Sequence, residues 1–574
     1  MYVKLAAINC RYSHSCLALF HLRNALEENC KGITIEIHQF TINDSYYNTL
    51  LRLSEGDPDV VMFSAAVWNS ELVKQLSLDL SRFLPDCRIV IGGPQASVLE
   101  RELLSPSVTI VKGDIEGLAE SFFCDLEQKN LQAVYNSDLL LALNKKGFCL
   151  PYRQEDFATH LANRNIYYES SRGCPFSCSY CLSSAEKGVL HKDLEQVEKE
   201  LAVILAHGPK VVRFVDRTFN DSPKRCVAIW KFLLHRPETT LFHFEIAPDR
   251  FSEEMFELLH QVEAGRFQFE IGVQSTSEET LKRVHRQMDV EKALKNIERL
   301  AALENIHLHA DLILGLPHET KSDFLQSFDD VFGSGPHYIQ MGLLKILPDT
   351  LIAREASEHG IRQMRKPPYA LLANHWLGHS ELQELYWFGE GVERFYNNRY
   401  FPSLWNYLRA TNQSPSGFFQ RLLDVGQEAG LFERAATHEF LCKILLQLLA
   451  DQSDGPFFRE FLVFDWLRCG NRLLPEWFSP GIKESGKQLK NDLYRKLPAE
   501  IKGYYDSRSR NRFFKQTLFY TFSGEATEAL GYDSGGRETV FCFLLQRENR
   551  VQRLQEVAVL DQFEMRPLIR DKSD

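Results

Sequence analysis

Short β-branched segments alternate with amphipathic helical segments in two separate parts of this 574-residue chain. The first part runs from residue 1 to about 125 and the second from about 161 to 360. This alternation predicts βα units, in which parallel strands form a sheet and helices cover its faces. The sequence therefore predicts two α/β domains, which a connector over 126–160 separates and a mainly helical accessory domain over 361–574 follows.

The first part is typical of a doubly wound parallel sheet, with strands predicted over 3–8, 34–40, 60–64, 88–92 and 108–113. Helices are predicted over 17–28 and 70–83. Ligands of such sheets bind at the carboxyl ends of the strands. Small residues there allow a large flat ligand to approach the backbone closely. The candidate ligand-binding residues at these ends are Asn9, Tyr12, His14, Ser64, Gly92, Gly93 and Gly113.

The second part has six predicted strands, over 166–170, 211–215, 242–247, 267–273, 307–314 and 338–343. Six βα units predict a partial (β/α)6 barrel instead of the closed barrel of eight. In barrels of this type the functional residues follow the carboxyl ends of the strands. The segment after the first strand contains Cys174, Cys178 and Cys181 in a CxxxCxxC spacing.

Three thiolates on one short loop can bind three irons of a 4Fe–4S cluster and leave the fourth iron open. A zinc knuckle is the alternative interpretation. Zinc would need a fourth ligand, however, and the nearest candidates, Cys149 and His191, lie outside the loop without a paired spacing. The other cysteines have mostly apolar neighbours, which is typical of buried reduced thiols.

The cysteine spacing, with Tyr180 before the last cysteine, resembles that of the radical S-adenosylmethionine (SAM) enzymes. In that family the open iron binds SAM, and one electron from the cluster cleaves it to a 5′-deoxyadenosyl radical. The resemblance implies that Asp216 accepts a hydrogen bond from the SAM amino group and that Arg286 pairs with the SAM carboxylate. The SAM-binding residues that it implies are Tyr180, Asp216, Glu270, Gln274, Arg286, Gly315 and Pro317.

The order of the two α/β domains, with an uncharacterised carboxyl-terminal extension, resembles the radical SAM proteins that have a cobalamin-binding domain. The resemblance implies cobalamin bound at the carboxyl ends of the first sheet. The Asp-x-His-x-x-Gly motif of other cobalamin proteins is absent, and Asn9-Cys10-Arg11 stands in its place. Base-off cobalamin is therefore implied, and His14 is expected to cap or anchor the first helix instead of binding cobalt. A domain that has lost cobalamin is the alternative.

The last third contains aromatic-rich amphipathic helices over 380–397, 416–428, 436–450 and 456–469, then strand-like segments over 539–546 and 556–560. We expect this domain to lie against the barrel mouth. The segment 487–512 is basic and contains tyrosines, a combination that can bind RNA or phosphate, but the pattern favours a solvated helix face.

The resemblance implies a cobalamin-dependent radical SAM enzyme that abstracts hydrogen from an unactivated carbon and methylates it from methylcobalamin. Cyclisation, rearrangement or oxidation without methyl transfer are alternative outcomes. A methylthiotransferase would need a second cluster, for which Cys10, Cys30 and Cys87 lack a compact spacing. A cobalamin sensor would not need the SAM-binding residues. The sequence assigns no catalytic acid or base.

A net charge of −11 disfavours general polyanion binding, so we expect a small molecule or a peptide as substrate in preference to a nucleic acid. The chain opens on a strand without a signal peptide, and no apolar run approaches membrane-spanning length. We therefore expect a cytoplasmic protein that has no membrane partner. The implied cluster is sensitive to oxygen and would take its electron from a donor such as flavodoxin or ferredoxin.

Overall fold

The computed structural model describes residues 1–103, 107–138, 148–185, 188–237, 239–411, 413–450, 455–478 and 482–560. In these ranges no helix combines the length and the apolar character that a membrane crossing requires. The middle of the predicted connector, 139–147, lies outside the described residues. The predicted fold class is confirmed: a parallel α/β domain, a partial barrel and a mainly helical region follow one another along the chain.

The amino-terminal domain is a six-stranded parallel sheet. Its strands are β1 (Tyr2–Asn9), β2 (Thr34–Thr41), β3 (Val60–Ser64), β4 (Arg88–Gly92), β5 (Val108–Lys112) and β6 (Val134–Asn136). Their order is β2-β1-β3-β4-β5-β6, which places the change of direction between β1 and β3. The sixth strand lies in the segment that we predicted as a connector. It was missed because its three residues are too few to form a recognisable strand pattern in the sequence.

Helices cover both faces of this sheet, since alternate residues of its central strands point to opposite sides. Leu5 and Met62 pack with α1 and α5 in one cluster, whereas Val61 and Phe63 pack with α2, α3 and α4 in another. The helices are α1 (Leu17–Asn29), α2 (Tyr46–Ser54), α3 (Ser70–Phe83), α4 (Ala96–Glu102) and α5 (Glu120–Glu127). The first cluster continues into the barrel, so the two domains share one core.

A buried ion pair also joins the two domains. Both guanidinium Nη atoms of Arg23, on α1, bind the carboxylate of Asp156 at 2.7 and 2.9 Å. Asp156 lies on α6 (Gln154–Ala158), just before the first barrel strand. A bidentate pair of this kind fixes orientation as well as distance.

The second domain is a partial barrel of six parallel strands. They are β7 (Ile166–Tyr168), β10 (Val211–Phe214), β11 (Leu241–Ile246), β12 (Phe267–Gln274), β13 (His307–Leu314) and β14 (Tyr338–Leu343), adjacent in that order. An antiparallel hairpin of β8 (Ser171–Cys174) and β9 (Gly188–His191) follows β7. The helices are α7 (Leu194–Leu205), α8 (Pro223–Leu234), α9 (Glu253–Leu259), α10 (Glu278–Arg283), α11 (Val290–Ala302), α12 (Lys321–Gly333) and α13 (Leu351–Arg354).

The accessory domain packs along the last barrel strand. After a short ribbon of β15 (Arg362–Gln363) and β16 (Leu371–Ala373), its helices are α14 (His379–Phe395), α15 (Pro402–Ala410), α16 (Pro415–Glu428), α17 (His438–Leu449), α18 (Gly455–Arg468), α19 (Ile482–Arg495), α20 (Arg510–Gln516) and α21 (Gly524–Ala529). A three-stranded antiparallel sheet contains β17 (Leu518–Phe522), β18 (Thr539–Arg547) and β19 (Gln555–Leu560).

This domain reaches both ends of the barrel, although we expected it at the mouth. At the carboxyl end, Asn374 Nδ2 donates to the carbonyl oxygen of Gly315 at 2.9 Å. At the amino end, the N–H of Val551, in the β18–β19 connection, donates to the carbonyl of Glu304 at 3.1 Å.

Candidate active site

The three predicted cysteines lie on the β8–β9 hairpin, with Cys174 at the end of β8 and Cys178 and Cys181 on the connection. Cys178 is buried, and Cys174 and Cys181 are partly exposed. Gly173 is required for the tight approach of the two strands: its φ is +91°, and a Cβ there would lie 2.2 Å from the carbonyl oxygen of Gly188. The hairpin therefore presents all three thiols at the carboxyl end of the barrel, as the sequence predicted.

Two of the thiols each have a polar neighbour from another part of the barrel. Cys174 Sγ lies 3.6 Å from Thr218 Oγ1, and Cys178 Sγ lies 4.0 Å from Nη1 of Arg286. Burial raises the pKa of the Cys178 thiol, while the Arg286 charge and a hydrogen bond from Tyr180 oppose that rise. Three thiols on one loop, one of them facing a cation, fit a group that binds thiolates.

The residue that could complete a zinc site has another partner. His191 Nε2 lies 3.1 Å from a carboxylate oxygen of Asp221. Cys149, the other candidate, is exposed. Within the described ranges, no three His, Cys, Asp or Glu side chains are arranged to hold a single metal ion such as zinc, whereas in a 4Fe–4S cluster each cysteine binds a different iron.

A cavity of about 220 Å³ opens beside the cysteine loop at the carboxyl ends of the barrel strands. Three of the predicted SAM-binding residues line it: Glu270, Gln274 and Arg286. Its other lining residues include Arg217, Glu245 and Asp311, which the sequence did not single out. Glu245 and Asp311 lie on β11 and β13, and the alternation of β13 could have indicated that Asp311 points inward.

The Arg286 guanidinium connects the cavity to the cysteine loop. Nη2 donates to the carbonyl oxygen of Gly272, and the guanidinium carbon lies 5.0 Å from the centre of the Phe176 ring. The buried Nε has no hydrogen-bond partner in the described part of the chain. A buried guanidinium with an unused donor fits an anionic group in the cavity.

Gln274 reaches the cavity through an irregular backbone. The pairing of β12 with β13 shifts register between Gly272 and Gln274, and Gln274 has a φ of +74°. A non-glycine residue in this region is strained, and such strain concentrates at functional sites.

The acidic side chains of the cavity differ in their ionisation. Burial raises the pKa of Glu245 to about 7 and also raises the pKa of Asp311. In contrast, a hydrogen bond from His243, whose Nε2 lies 3.0 Å from the carboxylate, lowers the pKa of Glu270. The cavity therefore combines two guanidinium groups, of Arg217 and Arg286, with carboxyl groups that a bound cation would help to ionise.

The four other predicted SAM-binding residues do not line this cavity. The buried carboxylate of Asp216 accepts hydrogen bonds from the N–H and hydroxyl of Ser170 (3.0 and 2.6 Å) and the hydroxyl of Ser171 (2.5 Å). It therefore fixes the start of the hairpin, whereas we expected it to receive the SAM amino group. Gly315 has a φ of +92° and packs against Leu371 of the accessory domain. Tyr180 packs with the cysteine loop, and Pro317 is buried.

A second cavity, of about 290 Å³, lies at the carboxyl ends of the amino-terminal sheet. Four predicted ligand-binding residues line it: Ser64, Gly92, Gly93 and Gly113. The wall opposite the sheet is formed by α1 and by the barrel hairpin. On the hairpin, Arg172 Nη2 lies 2.9 Å from the Glu116 carboxylate and 2.8 Å from the Glu169 carboxylate. No sequence motif marks this charged wall, because Glu116 is far along the chain from Glu169 and Arg172.

The two neighbouring glycines of this cavity differ in what a side chain would meet. A Cβ on Gly93 would lie 2.6 Å from the Ala65 carbonyl oxygen, and its φ is +94°. A Cβ on Gly92 would have no atom closer than the Val111 carbonyl oxygen at 3.8 Å. Gly93 is therefore required by the backbone itself, while a side chain at Gly92 would enter the cavity.

The other predicted residues, Asn9, Tyr12 and His14, lie beside this cavity without lining it. The His14 ring hydrogen-bonds through Nδ1 to the hydroxyl of Tyr167 on β7. It thus anchors the loop to the barrel, whereas we expected it to cap or anchor α1, whose N-cap is Cys16. Asn9 Nδ2 donates to the His14 carbonyl oxygen at 3.2 Å, and the exposed Tyr12 ring lies 4.3 Å from the Arg164 guanidinium.

Comparisons with known proteins agree with this architecture. Residues 168–331 match the radical SAM superfamily, and residues 357–535 match DUF4080, described as a protein of unknown function. The structure of the cobalamin-dependent SAM radical enzyme OxsB, with aqua-cobalamin and SAM bound, is similar with a TM-score of 0.56 and 16% identity. The match covers 82% of this chain and 84% of OxsB. This similarity shows a shared fold.

Two curated relatives match parts of the chain. The cobalamin-dependent radical SAM methyltransferase TokK from Streptomyces tokunonensis is 23% identical over 363 residues, which cover 54% of this chain and 51% of TokK. The tRNA-2-methylthio-N(6)-dimethylallyladenosine synthase of Lawsonia intracellularis is 24% identical over 272 residues, which cover 43% of this chain and 58% of that enzyme. The chain thus spans only about half the length of these relatives.

Proposed function

We propose that this chain, whose residues 168–331 form a radical SAM domain, is a cobalamin-dependent radical SAM enzyme that methylates an unactivated carbon. The observation that carries the proposal is the position of Arg286. Its guanidinium lies 4.0 Å from Cys178 and also lines the cavity at the barrel mouth. A ligand bound in this cavity would contact both Arg286 and the group that the cysteine loop binds.

The residues of the mouth cavity suit SAM, which carries one carboxylate and two positively charged groups. Arg286 would bind the carboxylate, because a guanidinium and a carboxylate can form two parallel hydrogen bonds. Glu245 and Asp311 would face the cationic groups, and Gln274 would donate to the ribose. Asp216 is left out of this assignment because its oxygens bind Ser170 and Ser171.

The second cavity would hold cobalamin on the amino-terminal sheet. Gly92 leaves its floor open, and the cavity extends from the ends of β3, β4 and β5 to the barrel hairpin. Because the Asp-x-His-x-x-Gly motif is absent and His14 does not line this cavity, the sheet would bind cobalamin base-off, without a histidine on the cobalt.

When bound, the 4Fe–4S cluster supplies the electron that cleaves SAM, and cobalamin supplies the methyl group. Cys174, Cys178 and Cys181 would hold the cluster, and an electron donor such as flavodoxin or ferredoxin would reduce it. The chain itself positions the two cofactors: the Arg23–Asp156 ion pair and the shared core fix the angle between the domains that carry them.

The methylthiotransferase alternative requires a second cluster in the first domain, and the cysteines there are far apart. Cys10 follows β1 at the carboxyl edge of the sheet, whereas Cys30 and Cys87 precede β2 and β4 at the amino edge. A strand of eight residues, such as β1, spans roughly 26 Å. These three thiols therefore have no common point at which to hold a cluster.

The test is anaerobic reconstitution with iron and sulfide, reduction with dithionite, and mass spectrometry of the products from SAM. With cobalamin present, we expect both 5′-deoxyadenosine and S-adenosylhomocysteine; without cobalamin, only 5′-deoxyadenosine. If S-adenosylhomocysteine never forms, a cyclisation, rearrangement or oxidation is favoured over methylation. If neither product forms, the proposed function is wrong.

A further inference from the structure

A cleft separates the amino ends of the barrel strands from the accessory domain. It consists of two adjoining cavities, of about 790 and 320 Å³, which share the lining residues Glu304, His337, Pro402, Asn406 and Gln552. Glu304 precedes β13 and His337 precedes β14, so the cleft lies at the opposite end of the barrel from Asp311 and the mouth cavity. It is a separate site.

Arg399 lines the smaller cavity and has no partner for its charge. In the described part of the chain, no carboxylate, carbonyl or hydroxyl group lies within hydrogen-bond distance of its guanidinium. Burial alone lowers its pKa. The residue also has a φ of +60°, in the loop between α14 and α15. Its backbone is therefore held in an uncommon conformation that presents an uncompensated cation to the cavity.

Arg409, on α15, is the second cation of the smaller cavity. Its Nη2 donates to Asn406 Oδ1 at 2.6 Å and its Nη1 to the Tyr396 hydroxyl at 3.4 Å. The guanidinium carbon lies 5.2 Å from the centre of the Phe332 ring. All of these partners are uncharged, so they orient the guanidinium without neutralising it.

The carboxylates near the two arginines do not offset this charge. Glu304 lies 2.6 Å from Arg550, which neutralises it. Glu298, the other carboxylate that lines the smaller cavity, is exposed to solvent. The excess of positive charge also acts on His337: burial, followed by the charges of Arg399 and Arg409, lowers its pKa to about 3.

We propose that Arg399 and Arg409 bind an oxyanion, the phosphate or carboxylate group of a small molecule whose remainder lies in the larger cavity. The amide of Gln552, whose Oε1 is buried without a hydrogen-bond partner among the described residues, lines both cavities and would contact the same ligand. Guanidinium groups are suited to both anions, because their donors match two oxygens at once.

Inorganic phosphate and citrate are the probes that distinguish the two sources of the oxyanion. The full chain would be titrated with each at constant ionic strength, and the midpoint of thermal unfolding recorded. The variants are Arg399→Gln and Arg409→Gln, and the control is Arg512→Gln, an exposed arginine of the same domain. We expect one anion to raise the midpoint saturably in the wild type and the control, with the affinity at least ~10-fold lower in both variants.

A rise with phosphate identifies a phosphate ligand, and a rise with citrate identifies a carboxylate ligand. The proposal is wrong if neither anion raises the midpoint, or if the rise is equal in Arg399→Gln and Arg409→Gln, since excluded salts stabilise any protein. If one variant fails to fold, the anion dependence of the other variant's unfolding midpoint still tests the proposal. Formation of 5′-deoxyadenosine by the Arg399→Gln variant tests the proposed function separately, because Arg399 lies outside the mouth cavity.

Discussion

Nη1 of Arg286 lies 4.0 Å from Sγ of Cys178, so one guanidinium joins the cysteine loop to the mouth cavity. The contact requires residues that are 108 positions apart in the chain. It is secured on the loop side by the N–H of Ser179, which donates to the carbonyl of Val284 at 2.9 Å. The two halves of the candidate site are thus held together by the backbone as well as by the side chains.

Replacement of Arg286 tests the SAM-binding half of the site. We expect Arg286→Gln to weaken SAM binding by about 1.5–3 kcal/mol, or roughly 10- to 150-fold, because a charge-assisted hydrogen bond is lost. The dissociation constant is measured calorimetrically under anaerobic conditions. The matched control is Arg283→Gln, an exposed arginine on the preceding helix. Equal SAM affinity in both variants would show that Arg286 has only a structural role.

The pH dependence of SAM binding tests Glu245. Its pKa is raised by burial to about 7, so the side chain is largely protonated below that pH and ionised above it. A cationic ligand prefers the ionised form. We therefore expect the SAM affinity of the wild type to rise as the pH increases from 6 to 8. The Glu245→Gln variant should lose this rise, and an unchanged pH profile in the variant would exclude Glu245 from the site.

Substitutions at two neighbouring glycines of the first domain should have different effects, one on ligand binding and the other on folding stability. Gly92→Val should block cobalamin uptake while the domain stays folded, because its side chain would enter the cavity. Gly93→Ala should destabilise the domain by ~1–2 kcal/mol, because a Cβ there would strike the Ala65 carbonyl oxygen. Cobalamin absorbance and thermal unfolding measure the two effects. Normal cobalamin uptake by the Gly92→Val variant would show that cobalamin does not bind in this cavity.

The absorbance spectrum of bound cobalamin tests the role of His14. Because His14 does not line the second cavity, the protein should bind cobalamin base-off, and His14→Ala should leave that spectrum unchanged. Tyr167→Phe, which removes the hydrogen bond between His14 and Tyr167 from the other side, is the control. A spectrum that shows a histidine on the cobalt, and loses it in His14→Ala, would overturn this assignment.

The sequence predicted the strands well because each one has a run of β-branched or aromatic residues between turn signals. The barrel strand His307–Leu314 and the helix Ser70–Phe83 match their predicted bounds. The short strand β6 was missed, and β17 was assigned to a helical region, since neither has a distinctive period. A motif marked Cys174, Cys178 and Cys181, and the fold brings them together at the barrel mouth, but their binding of a cluster stays a prediction.

Side-chain partners were harder to predict, because they depend on contacts between distant segments. Asp216 stands at a strand end, as a ligand-binding carboxylate would, but Ser170 and Ser171 occupy its oxygens. Glu245 and Asp311 belong to no recognised motif, and only the arrangement of the strands in the partial barrel brings them to the cavity. The cleft with Arg399 has no sequence signal, since its backbone conformation and missing partner are visible only in the fold.

We expect the cysteine loop to hold a cluster that cleaves SAM. The most direct measurement is the yield of 5′-deoxyadenosine from anaerobically reconstituted, dithionite-reduced protein, together with the cluster absorbance. Wild type and the control Cys124→Ala, which replaces an exposed cysteine of α5, should retain both. Cys178→Ala should lose both. Full cluster absorbance and undiminished 5′-deoxyadenosine in Cys178→Ala would contradict the account.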